Sequence, residues 1–231
     1  MNKTIILFLF LLLFFSFAHV SAKESFPDYQ NREGFPDTSS PLEINVNTDL
    51  PPVIYDHSLS SSQIRRSSSG LSVFPAHNAG LTRFQMKFVL DIDTSASNRG
   101  PGGRKHFWVD QIHFTISSPS IIVYIASEYP VGSCNYHVTM AHENTHVAEA
   151  RELIAKYAEK IESALKTSAV PSRSNPLSVT SVAEGEEKTK ALIKAIIYPL
   201  IDDLKKTMKD KFDRMDSPSE YQRVSDRCAG W

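Results

Sequence analysis

Between Val138 and Leu165, apolar or small residues recur at Val147, Ala150, Ile154, Tyr157, Ala158, Ile161 and Leu165, the spacing of one buried helical stripe. Inside that segment stands Met140 to Glu149, Met-Ala-His-Glu-Asn-Thr-His-Val-Ala-Glu. Residues four apart on a helix lie one turn above each other, so His142 and His146 present two imidazoles to one point. At ~100° per residue they share a line with Glu149 and Leu153, at the margin of the stripe, where a cleft can reach them. Two imidazoles so placed can hold Zn²⁺ at about 2.0–2.1 Å. Glu143 then stands beside the metal and can take a proton from water whose pKa the metal lowers toward roughly 7. The competing reading is two surface histidines on an amphipathic helix.

The N-terminus bears on the compartment. Asn2 and Lys3 precede a run from Ile5 to Ala18 that is apolar except for Ser16, and Val20-Ser21-Ala22 is a small-x-small cleavage pattern. Residues 1–22 read as a secretory signal peptide, removed after Ala22. The run is short for a membrane span, so the expected product is secreted or periplasmic, with no stable span after cleavage. Cys134 and Cys228 both follow the leader, and in an oxidising compartment they most simply pair. The bridge would tie the C-terminal tail to the entrance of the His142 helix. Closing a loop of about a hundred residues contributes about 4–5 kcal/mol in the chain-entropy model. Two free thiols, or a cysteine metal ligand, are the alternative. A formal net charge of −1 and the lack of a basic block interleaved with aromatics argue against nucleic acid.

Along the chain, residues 23–70 read as an extended Ser/Pro-rich arm with one or two short strands, and 71–231 as the main domain. Lys23 to Pro41 is polar and without period. Leu42, Ile44 and Val46 alternate with polar residues as in a half-buried strand, and Val53-Ile54-Tyr55 follows Pro51-Pro52 as an edge strand. Ser58 to Gly70 reads as a serine-rich loop. A strand with Phe84, Met86, Phe88, Leu90 and Ile92 on one face, a second with Trp108, Ile112, Phe114 and Ile116, and a third over Ile121 to Ala126 should form an antiparallel meander. Asp110 breaks the apolar set of the second. Thr167 to Thr180 is a connection of the lid or linker kind, and a second helix runs from about Val182 to Arg214, with Pro199 expected to kink or split it. The fold class is therefore α+β: a small antiparallel sheet, then two long helices that can pack as an antiparallel hairpin.

His142-Glu143-x-x-His146 on a long helix behind a small sheet resembles the zincin superfamily of metallopeptidases. From Ile121 onward there is a looser similarity to families of bacterial secreted proteins classed as zinc-dependent proteases. The resemblance implies that His142 and His146 bind zinc, that Glu143 is the general base, and that the last sheet strand runs beside the site and pairs with an extended peptide. The chain also departs from those patterns. Glu149 and Glu152 stand where metzincins have Gly-x-x-His, and no Asn-Glu-x-x-Ser-Asp element of the thermolysin kind is present. Some of the secreted families close on a Tyr-Asp followed by Thr-x-His-Gly; here the corresponding tail is Tyr221-Gln222-Arg223-Val224-Ser225-Asp226-Arg227-Cys228, which keeps the tyrosine and lacks the histidine.

The third ligand must then come from elsewhere. Glu149 lies about 10.5 Å along the axis from His142, better placed to orient His146 than to bind. Asp203 comes within reach if the helices pair as a hairpin, and is the preferred third ligand. Asp216, Glu220 and Tyr221 are brought near by a Cys134–Cys228 bridge. Glu184, Glu186 and Glu187 favour the start of the second helix instead, and His113 and His137 read as structural or solvated. Tyr221 could donate to the oxyanion that forms on a scissile carbonyl, or simply pack on the core. The function expected is a zinc metallopeptidase acting on a peptide or protein substrate. The alternative is a non-catalytic exported protein that binds a partner and carries a structural or vestigial metal site.

Overall fold

The computed structural model describes residues 20–22, 41–68, 79–98 and 101–228. Most of the leader, the polar stretch 23–40 and part of the serine-rich segment lie outside the described residues. Among the described residues, eight strands and four α-helices form an α+β fold: β1 (Val20–Ala22), β2 (Glu43–Asp49), β3 (Val53–Asp56), α1 (Ser61–Ser68), β4 (Gly80–Phe84), β5 (Lys87–Ser97), β6 (Lys105–Ser117), β7 (Ile121–Ile125), α2 (Cys134–Thr167), β8 (Leu177–Val179), α3 (Val182–Met215) and α4 (Pro218–Ser225). The two long helices are present as the periodicity requires.

The strands divide between two sheets. The larger has the order β1-β5-β6-β2, with β8 also on β6, and the smaller has the order β3-β7-β4. The expected single meander is therefore corrected. β5 and β6 do form an antiparallel pair, but β7 leaves them and becomes the centre of the second sheet. What reads as one alternating strand through Phe84 and Ile92 is two, β4 and β5, parted at Gln85 and Met86 and sent to different sheets. Alternation survives the break, so the pattern does not reveal it.

The segment read as an N-terminal arm belongs to the packed body from Pro41 onward. β2 pairs in parallel with β6 along its whole length and β3 does the same with β7. Ser61–Ser68 is a helix rather than loop, held by its fully buried Ile64. Val20–Ala22, the last residues of the segment read as a leader, pair with Ile92–Thr94.

Helix α2 begins at the N-cap Ser133, whose hydroxyl accepts from the amide of Tyr136. Its stripe is buried as the spacing demands. Val147, with the partly buried Tyr136 and Met140, packs on Ile121, Val123 and Ile125 of the smaller sheet, while Ala150 to Leu165 pack on β5, β6 and α3. One helix thus spans both sheets, and the histidines sit on the part that faces the smaller one. Asp110, the polar interruption in β6, accepts from Trp108 Nε1 and Ser95 Oγ, so its place in the strand is satisfied.

The connection from α2 to α3 is fastened rather than lid-like: Ser172 and Asn175 form a bridge, and β8 pairs with Lys105–Phe107 of β6. Helix α3 starts at the N-cap Ser181 and continues through Pro199 as one element, so the proline does not split it. Among the described residues, no helix is long and apolar enough to cross a membrane.

Candidate metal centre

Two segments distant in sequence meet at the first third of α2. The helix supplies His142 and His146, one turn apart, with ring centroids 4.9 Å from each other. The junction between α3 and α4 supplies Asp216. It caps the C-terminus of α3 with its backbone amide donating to the carbonyls of Phe212 and Arg214, and Ser217 then caps the N-terminus of α4. Two helix ends back to back turn the chain sharply and aim the Asp216 carboxylate at α2. The Cys134–Cys228 disulfide, with Cα atoms 5.8 Å apart, fixes the end of α4 to the start of α2, as expected.

Asp216 Oδ1 lies 3.2 Å from His142 Nε2 and 2.9 Å from His146 Nε2, and the two nitrogens are 3.3 Å apart. One ligand atom from each residue lies within 4.8 Å of the others, so this group could hold a metal ion. The spacing carries more than proximity. Three polar atoms in mutual contact share at most one proton per ring nitrogen, too few to make all three contacts hydrogen bonds with neutral rings. Bonds of about 2.0–2.1 Å to a tetrahedral centre would put donor atoms about 3.3–3.4 Å apart. Two edges of the triangle come near that spacing and the His146–Asp216 edge, at 2.9 Å, is shorter, so a modest opening would admit an ion.

Electrostatics favour a cation here. Burial opposes charge on Asp216, but hydrogen bonds to His142 and His146 and their charges outweigh it and hold the carboxyl far below its usual range. His146 is buried, which resists its protonation, yet Asp216 and Glu143 push its pKa above the ordinary imidazole value. Burial pushes the Glu143 carboxyl up, against the pull of His146 and His142. Tyr221, on α4, has its ring centroid 5.8 Å from that of His142. Burial, then the charges of Asp216 and Glu143 and a hydrogen bond to Asp216, push its phenol well above the usual range, so it stays protonated.

Asp203, the preferred third ligand from sequence, is not at this site. It accepts from the Tyr157 hydroxyl at 2.5 Å, beside Thr207 and Lys160. That places it about three turns along α2 from His146, roughly 16 Å away. The residue of α3 that meets His146 is Phe212, edge-on with centroids 4.8 Å apart. The helix pairing was right and its register was not: β8 and the Ser172–Asn175 bridge fix where α3 begins. Glu149 pairs with Lys211 instead of orienting His146. Glu220 pairs with Arg223, and Glu184 caps α3 through Thr180. His113 and His137 lie outside the cluster.

Two further residues escaped sequence reasoning altogether. Thr82 Oγ1 donates to Glu143 Oε2 at 2.8 Å, and Gly80 lies against the same carboxylate. Both are on β4, which also corrects the expectation that β7 runs along the site with a free edge. β7 has β3 on one side and β4 on the other, and β4 is the strand next to Glu143. No family model, curated protein or solved structure matches this chain. The functional argument therefore rests on the geometry of the centre.

Proposed function

We propose that this chain is an exported, zinc-dependent peptidase of the zincin kind, with His142, His146 and Asp216 as the metal ligands. The observation that carries the reading is the triangle of Nε2, Nε2 and Oδ1 atoms beside a buried glutamate. Zinc, when bound, would polarise a scissile carbonyl and acidify the attacking water. Glu143, adjacent to His142 in sequence, three residues before His146 and buried, would take a proton from the attacking water and return it to the leaving nitrogen. Its raised pKa suits that double task, since a base poised nearer neutrality both accepts and donates. Tyr221 remains a hydrogen-bond donor and supports the oxyanion.

An extended peptide is the substrate class that the surroundings favour. Ala126 N donates to Ala79 O, which makes 79 and 126 a hydrogen-bonded pair; by antiparallel alternation Leu81 and Arg83 also bond β7. Gly80, Thr82 and Phe84 then turn their backbone groups away from β7, toward an edge that holds no strand among the described residues. A substrate strand added there would lie alongside Glu143. The Cys134–Cys228 bond and the apolar leader pattern both fit export to an oxidising compartment.

Metal analysis of purified protein, followed by digestion of a fluorescence-quenched peptide library, tests the reading. About one zinc per chain is expected. Glu143→Gln should keep the metal and lose peptide turnover. Undiminished turnover in Glu143→Gln, or protein that takes up no zinc, overturns the proposal.

A further inference from the structure

Glu143 is 6% exposed, and a buried carboxylate needs donors or it is costly to ionise. Among the described residues its one hydrogen-bond donor is the hydroxyl of Thr82, 2.8 Å from Oε2; the same hydroxyl lies 3.2 Å from the Glu143 carbonyl oxygen. Oε1 receives no donor from the described residues. Residues two apart on a strand share a face, so Gly80 and Thr82 turn toward α2 together. A Cβ built on Gly80 would stand 2.6 Å from Glu143 Oε1, 2.7 Å from Glu143 Cγ and 2.7 Å from Thr139 Cγ2, closer than atoms can approach. Only glycine lets β4 come near enough for Thr82 to reach the carboxylate. One turn before Glu143 on α2, the buried Thr139 hydroxyl has no hydrogen-bond partner among the described residues. It makes no claim on the carboxylate, which leaves Thr82 as the residue that fixes it.

We propose that Thr82 is the positioning residue for Glu143, a strand hydroxyl that anchors Oε2 and leaves Oε1 as the oxygen that takes the proton, with Gly80 providing the close approach this requires. The inference rests on Glu143 acting as a base at the His142–His146–Asp216 centre. It does not require that the substrate be a peptide. Thr82 acts through Glu143 and has no role as a ligand. Its loss should therefore leave metal affinity intact and weaken whatever depends on proton transfer to Glu143.

Acetohydroxamate provides a probe that needs no substrate, because a hydroxamic acid binding at a metal gives up its proton to a neighbouring base. Its affinity would be measured by calorimetry on zinc-loaded, full-chain Thr82→Val, Thr82→Ala and Thr82→Ser, each checked for fold by circular dichroism and for zinc affinity by chelator competition. Val and Ala should weaken hydroxamate by about tenfold, because the Glu143 carboxylate is no longer held where it meets the hydroxamate proton. Ser, which keeps the hydroxyl, should stay within about twofold of the parent. In a Glu143→Gln background, Thr82→Val should cause no further loss, since the two residues act as one unit. Unchanged affinity in both Val and Ala variants, or equal losses with and without Glu143, overturns the proposal in favour of a plain tether between β4 and α2. A parent protein that cleaves no peptide yet shows this hydroxamate pattern sinks the peptidase reading and leaves the role of Thr82 standing. A parent that binds no zinc removes both.

Discussion

Asp216 Oδ1 lies 2.9 Å from His146 Nε2 although 70 residues separate them, and the same oxygen lies 3.2 Å from His142 Nε2. Asp203, on the same helix as the Asp216 cap, is instead bonded to Tyr157. The two aspartates should therefore respond oppositely to removal. Asp216→Ala deletes one of three ligands and should weaken zinc binding about 100-fold or more, beyond the 10–100-fold typical of partners that only orient ligands. Asp203→Ala should leave zinc affinity unchanged within about twofold and cost about 1 kcal/mol of stability, because its carboxylate is half exposed and Tyr157 keeps Thr207 as a partner. Chelator competition and urea denaturation on the two variants separate the cases; equal zinc affinities would remove Asp216 from the centre.

The bridge between Cys134 and Cys228 closes a separation of 94 residues, and it holds α4 against α2. Replacing both cysteines by serine should cost about 2–5 kcal/mol of unfolding free energy. It should also loosen zinc binding, because the junction that carries Asp216 loses its anchor on the α4 side. Denaturation midpoints and zinc affinity, measured on the same preparation, should fall together. A stability loss with unaltered zinc affinity would show that α3 alone positions Asp216.

The helices, the stripe of α2 and the two histidines were legible because each is a local property of spacing. The α3 register was not, since it depends on β8 docking to β6, a pairing of three residues whose partner lies far upstream. An error of about three turns there exchanged Asp216 for Asp203 as the residue facing His146. The division of the strands was hidden for a different reason. Gln85 and Met86 interrupt the ladder without interrupting the alternation, so a period-two pattern continues through a change of sheet. The contact from Thr82 to Glu143 left only a weak trace, a glycine at the start of a strand, which can mark a close approach without saying to what. Its meaning appears only when β4 lies against α2. The Cys134–Cys228 pairing, in contrast, followed from there being only two cysteines.

The stability of the metal-free and metal-bound forms should depend on pH in opposite senses. Burial resists charge on His146, but Asp216 and Glu143 outweigh it and raise its pKa. A raised folded pKa stabilises the metal-free fold fully below the unfolded value of about 6.5, and that contribution is lost as pH rises through the folded value. Zinc requires the neutral ring, so the proton competes with it to a higher pH than at an ordinary imidazole. Asp216, held far below its usual range, remains ionised throughout. The increase in Tm on adding excess zinc should thus be small near about pH 6 and grow toward about pH 8. Calorimetric scans with and without zinc at those values check it, and a zinc effect that shrinks with rising pH counts against imidazole ligation.

Gly185 sits in the first turns of α3 against Phe107, whose ring is fully buried on β6. An alanine there gains about 1 kcal/mol of helix propensity. Its Cβ, however, would stand 2.4 Å from Phe107 Cγ, in a ring that is fully buried. Overpacking of this kind costs about 1–3 kcal/mol, so Gly185→Ala should destabilise by up to about 2 kcal/mol net. Urea denaturation decides the sign. A stabilised variant would show that α3 can shift away from β6 at this point.

Tyr221 is the remaining residue whose role at the centre can be isolated. Its ring lies beside His142, and its hydroxyl stays protonated because burial and the charges of Asp216 and Glu143 all oppose ionisation. Tyr221→Phe removes the donor and keeps the ring, so packing against His142 should survive, while loss of the hydrogen bond to Asp216 should weaken zinc binding by no more than about tenfold. If the hydroxyl supports the oxyanion, turnover should fall by about 10²-fold with little change in KM, since the interaction strengthens only as charge develops on the carbonyl oxygen. Steady-state kinetics on a cleaved peptide provides the check. A loss confined to KM would assign Tyr221 to substrate binding, and an unaltered kcat would leave it as packing for the tail.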